Sequence, residues 1–307
     1  MRKKLQGGVW PTMLTPFTQD DQVDYEALGR LVDWYIGRGV HGLFAVCQSS
    51  EMFRLSLGER AGIAEFVVKR AAGRVPVVAS GHISDSPHDQ AAELTVMAGT
   101  GIDALVLITN RLAAPEDSDE VFAEQLQRLI EQLPQNLPLG LYECPYPYKR
   151  LVSPELLKWC ADSGRFQFLK DTCCDLDTLK LRMEAVRGSG LQIYNANAAT
   201  LLESLPLGIA GYSGVMANFH PELYVWLLRY HAERPEEAAQ LMDFLSVAAW
   251  VEKQLYPVSA KYYLMLEGVL EQWSARTADA RELSATYRLE LGQLRRLSDT
   301  YRGRIAQ

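Results

Sequence analysis

The sequence predicts a (β/α)8 TIM barrel, an α/β fold, followed by a C-terminal helical extension. Three observations carry that prediction. Eight short apolar runs recur between Gly8 and Met216, and segments with helical periodicity separate them. Eight strands alternating with helices over about 220 residues describe a parallel barrel. Past Arg234-Pro235 the apolar runs stop and only helical patterning continues. A doubly wound open sheet shares the alternation, but the glycine-rich phosphate loop such folds often carry is missing.

The runs fall at 8–14, 42–47, 75–81, 104–109, 138–144, 166–171, 192–197 and 209–216. Short, nearly continuous apolar segments mark strands buried on both faces, as a parallel sheet requires. Between them Leu28, Leu31, Val32 and Tyr35 recur at helical spacing, and so do Leu126, Leu129, Ile130 and Leu133. Ser153-Pro154-Glu155 places a capping serine before a first-turn proline, and Gly39 and Gly73 stop helices. The division is therefore a barrel over 1–233 and a helical unit over 234–307. In that unit Ala239, Met242, Leu245, Tyr262, Leu266 and Val269 carry the apolar pattern. The 288–302 stretch reads as a charged amphipathic helix with a solvated face.

Composition narrows the function classes. The chain has 307 residues, 48% apolar and 22% charged, an ordinary globular balance. A net charge of −7 argues against nucleic acid as a partner. Arg2-Lys3-Lys4 is too short for a targeting signal, and no apolar stretch approaches the ~18 residues of a membrane span. A soluble cytoplasmic protein is expected. The five cysteines, Cys47, Cys144, Cys160, Cys173 and Cys174, are an odd number and read as reduced thiols. No CxxC or histidine-rich spacing accompanies them, so no metal site is expected.

Barrel enzymes place their chemistry at the C-terminal ends of the strands. Those ends collect hydroxyls, amides, one lysine and one phenol. Lys170 ends the run Phe166-Gln167-Phe168-Leu169-Lys170, with its stem in an apolar wall. Desolvation disfavours the ammonium, so the amine is freer to attack a carbonyl. Tyr142 ends Leu139-Gly140-Leu141-Tyr142, and a phenol can shuttle protons. A lysine nucleophile beside a tyrosine acid/base is the equipment of a Schiff-base enzyme. No pair of acids suited to glycoside hydrolysis stands at these ends.

Read in order, the motifs resemble the pyruvate-dependent Schiff-base lyases typified by dihydrodipicolinate synthase and N-acetylneuraminate lyase. Gly8-Val9-Trp10-Pro11 with Thr15-Pro16-Phe17 looks like the family's opening strand. Asp20-Asp21-Gln22-Val23-Asp24 looks like its DGxVD turn, with Asp21 replacing the glycine. Leu55-Ser56-Leu57-Gly58-Glu59-Arg60 looks like LSxxER, and Gly214-Val215-Met216-Ala217-Asn218 like SVxAN. Tyr142, followed by Pro145, matches the catalytic tyrosine; Lys170 matches the Schiff-base lysine; Lys261 and Gly268 match a C-terminal helix motif. The resemblance implies a class I aldolase or lyase that needs no metal or organic cofactor. The covalent imine on Lys170 does the work. A 2-oxo acid is the implied substrate and a homotetramer, a dimer of dimers, the implied assembly.

Departures bear on specificity. Cys47-Gln48-Ser49-Ser50-Glu51 replaces the family's G-[ST]-T-G-E loop. The resemblance makes Ser49 the carboxylate ligand and hydrogen-bond partner of Tyr142, with Gln48 beside it. The synthase's paired tyrosines are Arg111-Leu112 here, and its arginine after the catalytic tyrosine is Pro147. The neuraminate lyase's acidic pair is Ala196-Asn197. Neither enzyme's second-substrate site is intact, so a different aldehyde or a 2-keto-3-deoxy sugar acid is expected. Thr172, Ser213 and Asn197 would line its tail and Arg111 would meet a distal carboxylate. His82, Lys149 and Arg150 are weaker candidates, and Glu51 is expected to orient its loop. Dehydration of a 2-keto-3-deoxy acid would use the same imine. The rival reading is a non-catalytic binding or regulatory homologue.

Overall fold

The computed structural model of the chain describes residues 5–306, and its eight strands follow one another round one parallel sheet. They are β1 (Gly8–Val9), β2 (Leu43–Phe44), β3 (Val77–Ala79), β4 (Ala104–Ile108), β5 (Leu139–Tyr142), β6 (Phe166–Asp171), β7 (Gln192–Asn195) and β8 (Gly211–Tyr212). Each lies inside a predicted run. The order is β1-β8-β7-β6-β5-β4-β3-β2. The remaining gap closes through a parallel bridge between Thr12 and Phe44, with Met13 N–H donating to the Phe44 carbonyl at 3.0 Å. Pro11 has no N–H to give to a ladder, so β1 stays short and the contact passes to its neighbours.

Helices α1 (Tyr25–Gly37), α2 (Leu57–Ala71), α3 (Pro87–Ala98), α4 (Asp119–Ile130), α5 (Pro154–Asp162), α6 (Leu176–Ala185), α7 (Leu201–Ser204) and α8 (Pro221–Tyr230) follow the strands in turn. Their starts are chemical. Asp24 accepts from Ala27 N–H at 2.9 Å and Ser153 from Leu156 N–H at 3.1 Å. Ser56 and Glu59 form a reciprocal capping box. The predicted stripes face inward: α1 buries Leu28, Leu31, Val32 and Tyr35, and α4 buries Phe122, Leu126, Leu129 and Ile130.

The barrel interior is filled by an aromatic layer. Phe168 of β6 stacks on Tyr194 at 4.6 Å, meets Trp10 edge-on at 5.5 Å and Phe44 at 5.8 Å. Such pairs add roughly 0.5–1.5 kcal/mol each beyond their buried area. Two glycines make room for it. A Cβ on Gly42 would sit 2.4 Å from the Trp10 ring, and one on Gly140 would sit 3.0 Å from the Phe168 Cβ.

After β8 the chain forms α9 (Pro235–Ala248), a 3-10 turn Ala249–Lys253, α10 (Val258–Leu266) and α11 (Ala285–Ile305). The 288–302 amphipathic stretch lies within α11, which buries Leu291, Leu294 and Ser298. Lys261 on α10 reaches the β2 loop and pairs with Glu51 at 2.7 Å, both side chains fully buried. No helix among the described residues is long and apolar enough to cross a membrane.

Candidate active site

Side chains alternate along a strand, so Phe168 and Lys170 point the same way, into the barrel. Phe168 belongs to the floor; Lys170 stands above it in a cavity of about 660 Å³ at the C-terminal face. Tyr142 of β5 pairs in register with Lys170, and the amine lies 4.6 Å from the tyrosine ring centre. Lys170 is 4% exposed. Burial lowers its amine from the ordinary lysine value, opposed by the nearby Cys47, Cys144 and Glu252 side chains. Burial also drives the Tyr142 hydroxyl well above its usual value, reinforced by the Cys144 and Cys47 thiols. The arrangement therefore holds a protonated phenol beside a destabilised ammonium.

The residues after this pair, Glu143 and Asp171, point the other way, and Arg182 of α6 clamps both. All three are fully buried. Arg182 donates to Glu143 at 2.5 Å and also contacts Asp171. Glu143 further accepts from Val152 N–H and Thr172 N–H, each at 2.8 Å. Strands β5 and β6 are thus locked in register directly behind Tyr142 and Lys170.

The wall opposite is built by the loop after β2. Gln48 and Ser49 line the cavity. The Ser49 hydroxyl donates to Thr12 at 3.1 Å and hydrogen-bonds Tyr256, which in turn accepts from Asn218 at 3.1 Å. This corrects the expected Ser49–Tyr142 contact: the phenol bonded to Ser49 is Tyr256, from the segment before α10. The Gln48 carbonyl oxygen accepts from the Cys144 thiol at 3.5 Å. Glu51 accepts from Lys261 and, at 2.6 and 2.8 Å, from Arg276 N–H and Thr277 N–H, so it holds the loop in place.

Of the other expected residues, Thr172 and Arg111 line the cavity, and Ser213 and Asn197 are not among its lining. Ser213 is fully buried and donates to the Trp10 carbonyl at 3.0 Å, tying β8 to β1. Asn197 caps the turn before α7, accepting from Thr200 N–H at 3.0 Å. The Thr172 hydroxyl is engaged too, donating to the Glu143 carbonyl at 2.8 Å. Arg111 pairs with exposed Asp85 and lies 5.6 Å from the Phe53 ring, while its buried Nε has no partner among the described residues. His82 is structural: it accepts from Ile108 N–H at 2.7 Å, and burial lowers its pKa to about 4. Arg150 pairs with Asp119 at 2.7 Å, and Lys149 donates to the Thr172 carbonyl at 2.8 Å.

Residues 5–293 match the Dihydrodipicolinate synthetase family. The chain belongs to that family. Among its relatives, the 4-hydroxy-tetrahydrodipicolinate synthase of Psychrobacter arcticus is 26% identical over 277 residues, 89% of each chain. The structure of YagE, an E. coli K12 prophage protein of the dihydrodipicolinic acid synthase family in complex with pyruvate, superposes with a TM-score of 0.85. It is 24% identical and covers 95% of this chain and 98% of its own. CdNal from Clostridium difficile, in complex with mannosamine, gives 0.84 at 16% identity, covering 96% and 100%.

Membership in the dihydrodipicolinate synthetase family carries the coarse function: a pyruvate-dependent Schiff-base lyase, an enzyme of the class I aldolase type. That chemistry runs through a lysine imine without metal or organic cofactor. The cavity residues of this family member that sequence reasoning missed include Phe53, Arg54, Tyr146, Glu252 and Tyr256. Phe53 and Tyr146 meet edge-on at 5.1 Å and form an aromatic rim. Glu252 and Tyr256 lie in the helical extension, where nothing in the local pattern separates a cavity residue from a helix-end residue.

Proposed function

We propose that this chain makes or breaks a carbon–carbon bond next to an imine formed between Lys170 and a 2-oxo acid, with pyruvate as that acid. The observation that carries the reading is the buried Lys170 amine, without an ion pair or hydrogen bond among the described residues, beside Tyr142 at the base of a cavity of about 660 Å³. The neutral amine adds to the C2 carbonyl, and Tyr142 moves protons while water leaves. The resulting iminium takes up the electron pair released at C3, and the enamine attacks an aldehyde; cleavage is the reverse. Gln48 and Ser49 line the cavity, and in this reading they receive the substrate carboxylate, with the Ser49 hydroxyl turning from Thr12 to meet it.

The second substrate follows from what the rim offers. Ser213 and Asn197 are outside the lining and the Thr172 hydroxyl is already engaged, which takes away the donors a polyhydroxylated tail would need. The rim instead presents Phe53, Tyr146 and Arg111. An aldehyde with a flat or apolar body and an anionic end fits these groups better than a sugar chain. With Pro147 and Leu112 in place of the synthase's polar groups, turnover of aspartate semialdehyde should be poor. We also propose a homo-oligomer, a tetramer, supported by exposed Val247, Trp250, Leu289 and Leu297 on the C-terminal helices.

Pyruvate with borohydride should add a reduced pyruvyl mass to one peptide, the one containing Lys170. Lys170→Ala should abolish it while the fold persists. Labelling elsewhere, or none with any 2-oxo acid, would sink the lyase reading. A panel of aldehydes offered with pyruvate then ranks the second substrate.

A further inference from the structure

Two carboxyls line the cavity, and they differ in kind. Glu51 is saturated by Lys261, two backbone N–H groups and a threonine hydroxyl. Glu252 forms no hydrogen bond or ion pair among the described residues, although most of its surroundings are protein. It comes from the 3-10 turn Ala249–Lys253, outside the barrel, and enters the cavity beside Tyr256. Leu255 between them holds a left-handed backbone, φ 51°, a strained conformation for a branched side chain. This half-buried carboxyl has no partner among the described residues to offset the hydration it gives up. What it does have is Lys170 within electrostatic reach: the amine pulls the carboxyl down and the carboxyl pulls the amine up.

Resting on the Lys170 imine reading, we propose that Glu252 is a second acid/base of this site, acting on the carbinolamine and on C3 of the imine. In its protonated form Glu252 gives its proton to the carbinolamine hydroxyl. The C2–O bond breaks, water leaves, and the nitrogen lone pair forms the C=N bond, which leaves a carboxylate beside a cationic imine. That carboxylate then takes a proton from C3. The C–H electron pair becomes the C2=C3 bond of the enamine, and the C=N pair returns to nitrogen. The carboxyl is neutral again and no other reactant is consumed. Tyr142 reaches Lys170 from β5, whereas Glu252 enters from the C-terminal wall, so the two serve different proton positions.

The titration of Glu252 suits both roles. Burial raises its carboxyl to about 7, with Lys170 opposing. The groups facing it are Lys170 from β6, Tyr212 from β8, Tyr224 from α8 and Tyr256 from its own segment. Burial holds all three phenols far above neutral pH, so none of them titrates with it.

The test uses pyruvate alone: exchange of its C3 protons into D2O followed by NMR, with borohydride trapping in parallel. Wild type should exchange, with a limb near pH 7 above which exchange slows, because the free enzyme then lacks the proton that Glu252 gives to the carbinolamine. Glu252→Gln should lower exchange about 10²–10⁴-fold, erase that limb and leave Lys170 as the labelled residue. Glu252→Asp should keep the limb. A folded Glu252→Gln that exchanges at the wild-type rate, or slowly but with the limb intact, overturns the assignment. If that variant does not fold, Glu252→Ala with added formate takes its place: restored exchange supports the role and unrestored exchange overturns it. A wild type that neither labels nor exchanges refutes the underlying Lys170 reading instead.

Discussion

Replacing Arg182 with methionine keeps the volume of the side chain's stem and removes its charge. The consequence follows from three zero-exposure side chains: among the described residues only Arg182 pairs with Glu143 and Asp171, behind β5 and β6. Breaking a buried pair by deleting one partner typically costs about 3–5 kcal/mol, because the other charge stays desolvated. Unfolding entropy of about 2.1 cal/mol/K per residue gives roughly 0.6 kcal/mol per kelvin for a chain of this size, so Tm should fall by about 5–8 °C. The loss should depend on pH. Glu143 already lies above the ordinary carboxylate value, since burial outweighs Arg182, and without Arg182 it rises further. A carboxyl raised in the folded state favours folding below its unfolded value and opposes it as pH climbs toward the folded one. The deficit of Arg182→Met should therefore be larger at pH 7 than at pH 5. Adding Glu143→Gln and Asp171→Asn should recover most of it. Urea unfolding at fixed protein concentration measures all three. A deficit under about 1 kcal/mol, the median worth of a surface pair, would refute the clamp, and so would one indifferent to pH or unmoved by the neutralising changes.

Three further outcomes are expected. Tyr142→Phe should keep the fold and slow pyruvate C3 exchange by about 10²–10⁴-fold; near wild-type exchange would reduce Tyr142 to a packing residue. His82 is held neutral in the fold, with its pKa lowered by burial to about 4, so the unfolded chain binds its proton first. Stability should then fall by roughly 3 kcal/mol as pH drops from about 6.5 to 4; His82→Gln, if it folds, should flatten that slope in denaturant titrations. Light scattering at micromolar concentration should give a tetramer mass, and a monomer would remove the interface assigned to Val247, Trp250, Leu289 and Leu297.

The strands and the pairing of Lys170 with Tyr142 at the base of the cavity were legible in the sequence because their causes are local. A run such as 166–171 is apolar by itself, and the C-terminal ends of barrel strands carry the site, with alternate residues facing it. Lys170 and Tyr142 follow from those two facts, and the helix starts at Asp24 and Ser153 from capping chemistry. The lining beyond that pair depended on packing between distant segments. Ser213 and Asn197 stand at strand ends as candidates should, yet one closes β8 onto β1 and the other caps a turn. Which phenol meets Ser49, which cation clamps Glu143 and Asp171, and which carboxyl enters the cavity were decided by α6 and by the 249–257 segment folding against the barrel. Periodicity reports which face of an element is buried, but not which distant side chain it is buried against. A charged residue at the end of a surface helix reads the same in one dimension whether it meets solvent or a lysine.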